Sequence, residues 1–242
     1  MTLHVLTGAS RGLGAAMLIR LLRDGHHVVA AARGPAPDLP GHAGRLDWTR
    51  LDLGDLAATR DWVVRAVGAC EAQPAALILN AGSLDPLVPV ADLRPDAVET
   101  HMRVNLASPM LVTAGFLEAT RDWPVTRRIL AVSSGAGRRG VSHWSAYCSS
   151  KAGLDNFIRS LNAEYAEAKT GAAVRAVSLA PGVIDTAMQQ TIRGLDAPDR
   201  ERFQALHAEG RLTSPDDAAA AILAYLRRDD FGTNEIDDVR NY

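Results

Sequence analysis

Short apolar runs alternate with segments of helical periodicity along almost the whole chain. The apolar runs, bounded by turn residues, predict buried strands over 3–6, 28–32, 46–51, 76–79, 129–132 and 174–179. Apolar residues at three- and four-residue intervals predict helices over 12–24, 56–69, 96–120 and 143–168. Such alternation predicts an α/β fold, a doubly wound parallel sheet covered by helices on both faces.

The pattern becomes irregular after Pro181, beyond the end of the sixth predicted strand. Short helices are predicted over 185–192 and 198–209, joined by a polar link at 193–196. Open α/β sheets bind ligands outside the carboxyl ends of their strands, so we expect this segment to border a ligand site.

Local signals mark three further features. Ser108-Pro109 predicts a kink in the helix 96–120, because proline removes a backbone donor. Ser214 or Thr213 precedes Pro215-Asp216-Asp217 and caps a helix that reaches residue 226. A last strand is predicted near 233–236. Without a linker, repeat or low-complexity tract, residues 1–242 are predicted to form a single domain.

Composition narrows the possible partners. Of 242 residues, 47% are hydrophobic and 22% charged, which is typical of a soluble globular protein. The net charge of −2 gives no electrostatic case for nucleic acid or an anionic membrane. The chain has no apolar run long enough to span a bilayer, no room for a signal peptide before its first strand, and only two cysteines, Cys70 and Cys148. We therefore expect a cytoplasmic protein with a small-molecule partner, and no metal site, since the seven histidines are scattered.

Tyr147 and Lys151 stand four residues apart in the predicted helix 143–168. Residues at this spacing share a helix face, with Cβ atoms about 5–6 Å apart. An ammonium group at that distance favours the phenolate, so we expect the pKa of Tyr147 to lie below that of a free tyrosine. Lys151 is one of only two lysines in the chain. The pair indicates a proton donor with a charge beside it.

A glycine-rich turn follows the first predicted strand and opens the first helix, in the stretch Thr7-Gly8-Ala9-Ser10-Arg11-Gly12-Leu13-Gly14. Glycines permit a tight turn and close backbone approach, and the helix N-terminus offers amide donors to a pyrophosphate. In the first βαβ unit this pattern predicts a dinucleotide site of the Rossmann type.

The end of the second strand selects between the two nicotinamide dinucleotides. A carboxylate there accepts the ribose hydroxyls of NAD, whereas arginine suits the 2′-phosphate of NADP. The strand ends Ala31-Ala32-Arg33 without an acid, and Arg11 lies within the glycine turn. The sequence therefore favours NADPH over NADH.

Two further strand ends carry candidate cofactor residues. Asp52, followed by Leu53, ends the third strand and is interpreted either as an adenine partner or as the N-cap of the helix that begins at Leu56. Asn80-Ala81-Gly82 follows the fourth strand, where backbone can pass close to a cofactor.

Together, the ordered motifs resemble the short-chain dehydrogenase/reductase family over essentially the whole chain. The matching residues are Gly8, Gly12, Gly14, Asn80-Ala81-Gly82, Ser134, Tyr147 with Lys151, and Pro181-Gly182. The resemblance implies hydride exchange between nicotinamide and a carbonyl carbon, with Tyr147 as the general acid. It also implies that Asn105 is a fourth catalytic residue, supporting a water that links Lys151 to solvent, and that Asp52 contacts adenine.

The resemblance also suggests roles for the remaining candidate residues in binding substrate and nicotinamide. Ser134, thirteen residues before Tyr147 and past a strand end, is preferred over Ser133 as hydrogen-bond donor to the substrate oxygen. The backbone around Val183 and the hydroxyl of Thr186 would hold the nicotinamide carboxamide.

The C-terminal third resembles a branch of the family, the sepiapterin reductases and bacterial benzil reductases. The similar stretches are residues 181–190, Glu209-Gly210-Arg211-Leu212 and Asn234-Glu235-Ile236-Asp237-Asp238. This resemblance implies reduction of a ketone or dicarbonyl, with Asp237 as a substrate anchor; a solvated tail charge is the alternative. Arg138 and Arg139 either recognise an acidic substrate or lie in a solvent-facing loop.

Two other functions stay open, an alcohol dehydrogenase that runs oxidatively and a non-catalytic dinucleotide sensor. The family also implies a homodimer or homotetramer, pairing through the helices 96–120 and 143–168, with Trp144, Phe157 and Ile158 contributing to the paired surface.

Overall fold

The computed structural model describes residues 2–39, 41–167, 173–194 and 199–242. Seven parallel strands form one sheet in the order β3-β2-β1-β4-β5-β6-β7. The strands are β1 Leu3–Thr7, β2 His27–Ala32, β3 Arg45–Arg50, β4 Ala75–Leu79, β5 Arg127–Val132, β6 Val174–Ala180 and β7 Ile236–Asp238. This is the expected doubly wound α/β architecture.

The helices are α1 Gly12–Arg23, α2 Leu56–Gly68, α3 Pro95–Met102, α4 Ser108–Ala119, α5 Ser145–Glu167, α6 Ala187–Gly194, α7 Arg200–Ala208 and α8 Pro215–Arg227. Helices α1 and α8 cover one face of the sheet, and α2, α4 and α5 cover the other. Side chains alternate between the faces along each strand, so Val5 packs in one core cluster and Leu6 in the other. Among the residues described, no helix combines the length and the hydropathy of a membrane-spanning segment.

Strand β3 differs from the predicted buried strand. It lies at the edge of the sheet, and its side chains are half-buried or exposed. An edge strand has a neighbour on one side only, so the apolar residues Leu46 and Trp48 cover the rim of the core without being enclosed.

The helix predicted over 96–120 is confirmed as a continuous helical run over residues 95–119, but it is not a regular α-helix throughout. Helices α3 and α4 are separated by a wide π-helical turn at Arg103–Ala107, immediately before the predicted kink. Pro109 lies in the first turn of α4. A proline is tolerated there because its missing donor has no partner within the helix.

Two boundaries in the C-terminal third also move, and one capping residue is decided. Helix α6 begins at Ala187 instead of 185, because the Asp185 amide donates to Thr213 O at 2.9 Å. Strand β7 follows a turn at Gly232 and begins at 236 instead of 233. Ser214 is the N-cap of α8, since its hydroxyl accepts from the Asp217 amide. The predicted helix positions 168 and 198, and residues 195 and 196 of the link, lie outside the described residues.

Candidate active site

The glycine turn between β1 and α1 needs glycine for steric reasons. Gly8 and Gly12 have φ angles of 72° and 54°, which L side chains rarely adopt. A Cβ on Gly14 would lie 2.1 Å from Gly8 O, and one on Gly8 would lie 2.8 Å from Ala81 Cα. The turn is therefore packed as closely as backbone permits, and it presents the bare N-terminus of α1 at the carboxyl edge of the sheet.

The segment after β4 is fixed to this turn by hydrogen bonds. The Asn80 side-chain amide donates to Thr7 O and Gly8 O at 3.1 and 3.2 Å. The backbone amides of Asn80 and Ala81 both donate to Thr7 Oγ1. The structure thus brings Asn80-Ala81-Gly82 and the glycine turn together, as a bound dinucleotide requires.

The segment after β6 borders the same turn from another side. Gly182 has a φ of 79°, and Val183 O accepts from the Thr213 amide at 3.0 Å. The Thr186 methyl lies 3.4 Å from where a Cβ on Gly12 would stand. Pro181, Val183 and Thr186 are all half-buried.

The residues expected to select between NAD and NADP lie directly after β2 and in the glycine turn. Arg33 follows β2 directly, and its side chain is exposed, as is that of Arg11. Ser10 contacts the same region, since a Cβ on Gly34 would lie 3.6 Å from Ser10 Cβ. Leu13, on the first turn of α1, is buried in the core.

Asp52 is not the N-cap of α2. Its Oδ1 accepts from the Gly54 amide at 2.9 Å, whereas Asp55 caps the helix by accepting from the Ala58 amide. Asp52 is exposed and Leu53 is buried. The adenine contact of Asp52 stays a prediction.

Tyr147 and Lys151 lie on one face of α5, and both are buried. Ser134, which follows β5, lies beside Tyr147 and acts to lower the pKa of its hydroxyl, and Ser134 Oγ accepts from the Ala136 amide at 3.1 Å. Lys151 Nζ lies 5.7 Å from the centre of the Tyr147 ring and donates to Val132 O at 2.8 Å. The structure therefore brings together the three side chains that the sequence predicted, although their catalytic roles stay predictions.

The expected lowering of the Tyr147 pKa is wrong for the protein without cofactor. Burial raises the pKa of Tyr147 to about 12, because the phenolate loses hydration, and the hydrogen bond from Ser134 only partly opposes this. Burial also lowers the pKa of Lys151 to about 8, against the influence of Asp155. The ammonium group donates to the backbone carbonyl of Val132.

Ser133 and Ser134 separate into different environments. Ser133 Oγ donates to Asp155 Oδ1 at 2.6 Å, as does Ser178 Oγ. Asp155 is buried on α5, one turn beyond Lys151. Ser133 thus ties β5 to α5 and β6, which leaves Ser134 as the serine beside Tyr147.

Asn105 lies in the π-helical turn between α3 and α4 and is fully buried. Its Nδ2 donates to Ser83 O at 2.7 Å, and its Oδ1 accepts from the Ser83 amide at 2.8 Å. A Cβ on Gly82 would lie 3.6 Å from Asn105 Oδ1 and 3.8 Å from Lys151 Nζ. The wide turn therefore places Asn105 Oδ1 and Lys151 Nζ beside the same residue, Gly82.

The carboxylate of Asp237 is buried among donors and is not a solvated tail charge. It accepts from the hydroxyls of Tyr225 and Tyr242, at 2.9 and 2.7 Å, and from the side chains of Asn234 and Asn241. These hydrogen bonds lower its pKa to about 2, although burial opposes the shift. This arrangement gives Asp237 a structural role, and its contact with substrate stays a prediction.

Arg138 is not simply a solvent-facing loop residue. Its guanidinium donates to Asp237 O, and its Nε lies 3.7 Å from Asp155 Oδ2. The side chain thus links the C-terminal strand to α5, although Arg138 is exposed, as is Arg139.

An aromatic cluster beside Tyr147 was missed by sequence reasoning. The Trp144 and Phe203 rings stack with centroids 5.9 Å apart, and Trp144 meets Tyr147 edge-on at 5.7 Å. Leu84 and Ile192 complete the buried cluster. Trp144 is therefore buried and does not belong to an oligomer surface; Ile158 is likewise fully buried in the core, and Phe157 is half-buried. The spacing of three between Trp144 and Tyr147 was the available signal.

His27, Asp47 and Cys70 form one cluster of potential metal ligands that the sequence did not indicate. It lies at the amino ends of β2 and β3, away from the candidate active site. His27 Nε2 lies 2.7 Å from Asp47 Oδ2, and Arg45 also pairs with Asp47. The carboxylate thus has protein partners without a metal ion.

Comparison with known proteins agrees with this site. A family model described as short chain dehydrogenase matches residues 3–196. A benzil reductase ((S)-benzoin forming) from Bacillus cereus is 33% identical, with 96% of each chain covered. Sepiapterin reductase from Meriones unguiculatus is 34% identical, covering 94% of this chain and 92% of that protein.

Among solved structures, the crystal structure of KRED1-Pglu enzyme superposes with a TM-score of 0.82 at 32% identity, covering 97% of this chain and 99% of the other. The matched family model and these relatives show that the chain belongs to the short-chain dehydrogenase/reductase family and is an NAD(P)-dependent oxidoreductase of CH–OH and C=O groups.

Proposed function

We propose that this protein is an NADPH-dependent carbonyl reductase in which Tyr147 is the general acid. The observation that carries the proposal is the placement of Ser134 beside Tyr147 and the buried Lys151, at the sheet edge that holds the glycine turn. Two neighbouring hydroxyl groups can both donate to a carbonyl oxygen as it gains negative charge.

In the proposed reaction NADPH, when bound, supplies a hydride to the carbonyl carbon. Tyr147 gives its hydroxyl proton to the carbonyl oxygen, and the Ser134 hydroxyl holds that oxygen in place, so the product is an alcohol. Lys151, with its pKa lowered to about 8, can then return a proton to the Tyr147 phenolate near neutral pH. The Asn105 amide, which faces the same space as Lys151 Nζ, supports the supply of that proton from solvent.

The proposed preference for NADPH rests on the residues at the end of β2 and in the glycine turn. Arg33 and Arg11 are both exposed there, near Ser10, and no carboxylate ends β2. Two guanidinium groups favour a 2′-phosphate, whereas a ribose hydroxyl would be better bound by an acid. Val183 and Thr186, beside the glycine turn, would hold the nicotinamide carboxamide.

The substrate class is inferred from the aromatic cluster. Trp144, Phe203, Leu84 and Ile192 form an apolar wall around the Tyr147 ring, which suits a substrate with aryl groups next to its carbonyl. Two similar proteins carry the names benzil reductase and sepiapterin reductase, and both names denote ring-bearing carbonyl substrates. We therefore infer an aromatic ketone or dicarbonyl substrate. Helices α4 and α5 are the proposed homodimer surface.

The test is the consumption of NADPH, followed by its absorbance, with benzil and with other diketones. Wild-type protein is expected to consume NADPH faster than NADH. Tyr147→Phe should lower kcat by about 10²–10⁴-fold, because it removes the proton donor, while the Kd for NADPH stays close to the wild-type value.

Tyr165→Phe on the same helix is the matched control and should retain wild-type activity. Substantial turnover by Tyr147→Phe would contradict the role of that residue. If wild-type protein binds NADPH but reduces none of a broad carbonyl panel, the reductase proposal fails and the sensor alternative returns. A faster oxidative reaction with NAD would instead favour the alcohol dehydrogenase.

A further inference from the structure

His101 lies near the end of α3, and it is buried where three segments meet. Its Nδ1 is within hydrogen-bonding distance of Asp85 O in the loop after β4. Its Nε2 lies 2.9 Å from Ser150 Oγ on α5 and 3.0 Å from Asn105 Nδ2 in the π-helical turn. The imidazole therefore contacts the loop, the turn and the helix that surround the proposed site.

The hydrogen-bond partners of the two ring nitrogens determine which nitrogen of His101 carries the proton. A backbone carbonyl can only accept, so Nδ1 must carry the hydrogen that is donated to Asp85 O. Burial lowers the pKa of His101, and the ring is therefore neutral at physiological pH. Nε2 is then an acceptor, which matches the Asn105 amide nitrogen, since that group can only donate; the single hydrogen of the Ser150 hydroxyl is shared between Nε2 and Tyr147 O.

The acceptor at Nε2 determines how the Asn105 amide is turned. One Nδ2 hydrogen goes to Ser83 O, and the other points at His101. Asn105 Oδ1 must therefore face the opposite way, towards the Ser83 amide and the space beside Gly82 that Lys151 Nζ also borders. A ring protonated at Nε2 would oppose this orientation, because two hydrogens would face each other.

His101 also acts on α5 through Ser150. The Ser150 hydroxyl is close to His101 Nε2 and to Tyr147 O, at 2.9 Å in each case, and Ser150 directly precedes Lys151. The His101 ring meets the Tyr147 ring edge-on, with centroids 6.2 Å apart. The imidazole thus contacts Asn105 and the Tyr147 ring directly, and it contacts Ser150, the residue before Lys151.

We infer that His101, as its neutral Nδ1–H tautomer, is a positioning residue that orients the Asn105 amide and the start of α5 for proton delivery to Tyr147. The inference rests on the proposed reductase function, and it extends that function to a residue outside the Ser134, Tyr147, Lys151 and Asn105 set. His101 touches neither substrate nor cofactor in this role.

Two substitutions separate positioning from simple packing. His101→Phe keeps a flat ring but removes the acceptor that faces Asn105 and Ser150, whereas His101→Gln keeps an acceptor near the Nε2 position. We expect His101→Phe to lower kcat about 10- to 100-fold, because a small displacement of catalytic groups has that effect, while the Kd for NADPH is unchanged. His101→Gln should recover most of the lost kcat.

Activity of His101→Phe equal to wild type, or equal loss in both variants at unchanged stability, would overturn the inference. A wild-type protein that reduces no carbonyl substrate would instead count against the proposed function. A measurement independent of turnover is the ring ¹⁵N spectrum of the wild-type protein, with the His101 signals assigned by their absence in His101→Gln. We expect a protonated Nδ1 and a bare Nε2, and a proton found on Nε2 would refute the inference even if His101→Phe failed to fold.

Discussion

Two buried side chains on α5 have pKa values that are shifted in opposite directions from their ordinary values. Burial raises the pKa of Tyr147 to about 12 and lowers that of Lys151 to about 8. In each case loss of hydration disfavours the charged form. Tyr147 is thus kept neutral, as the proposed proton donor must be before the carbonyl oxygen gains negative charge, and the pKa of Lys151 lies close to the pH at which it can release a proton.

Arg33 carries a prediction at the same scale. Arg33→Asp should raise the KM for NADPH about 10- to 100-fold, because a charge-assisted contact to the 2′-phosphate is lost and a repulsive charge replaces it. The KM for NADH should fall, since the new carboxylate can accept the ribose hydroxyls. Initial rates with the two cofactors measure both effects.

Arg23→Asp makes the same change of net charge on an exposed residue at the opposite end of α1. It should leave the ratio of the two KM values unchanged. An unchanged KM for NADPH in Arg33→Asp would remove Arg33 from the cofactor site.

At the level of elements, two irregular turns form the site. The glycine turn lets α1 begin close behind β4, and the π-helical turn at Arg103–Ala107 directs Asn105 inward. A regular helix through this segment would carry its side chains at 3.6 residues per turn, and the extra residue of a π-turn shifts that register. Both turns are hydrogen-bonded to the segment after β4, where we propose that cofactor and substrate meet.

Gly14→Ala tests the closeness of the glycine turn. The added Cβ would lie 2.1 Å from Gly8 O and 2.6 Å from Asn80 Nδ2, so backbone must shift. We expect a loss of about 1–3 kcal/mol in unfolding free energy and weaker NADPH binding, measured by urea denaturation and by NADPH fluorescence.

Gly68→Ala, at the end of α2, is the control, because a Cβ there meets nothing within 4 Å. This change should leave NADPH binding intact and keep or raise stability. If Gly14→Ala matched it in both measurements, the close packing of the glycine turn would be refuted.

At the scale of the whole molecule, the amino and carboxyl ends of the strands carry different kinds of side chain. The carboxyl edge carries the cofactor turn and the proposed active site, while His4 and His26 lie together at the amino edge with ring centroids 4.8 Å apart. Burial, together with the neighbouring His26, lowers the pKa of His4 to about 3. Folding therefore requires His4 to be neutral.

This burial predicts acid sensitivity of the fold. Below about pH 6.5 the unfolded chain protonates His4 and the folded chain does not, so the free energy of unfolding falls as pH falls towards 3. At about pH 5 the loss from His4 is about 2 kcal/mol. Urea denaturation at about pH 7.5 and about pH 5 measures it, and His4→Leu should lose about that much less than wild type.

His42→Gln alters an exposed histidine and should show the wild-type pH dependence. If His4→Leu also lost as much stability as wild type, His4 would not be the group responsible.

The sequence by itself determined the elements and motifs that depend on local order. The alternation of strands and helices follows from the spacing of apolar residues, so the parallel sheet and the succession of elements along the chain were predictable. The glycine turn and the spacing of Tyr147 and Lys151 are equally local, because one turn or one helix face contains each of them. That residues 1–242 are a single domain, that the protein is cytoplasmic and that it is a homodimer stay predictions.

Only the tertiary structure decided properties that come from residues distant in the chain. The direction of the Tyr147 pKa shift depends on how completely neighbouring segments exclude water. Trp144 is buried because Phe203 of another helix stacks on it, and the Asp237 carboxylate is occupied because Tyr225 and Tyr242 reach it. Desolvation and side-chain partners are set by packing between elements, and periodicity along one element does not contain that information.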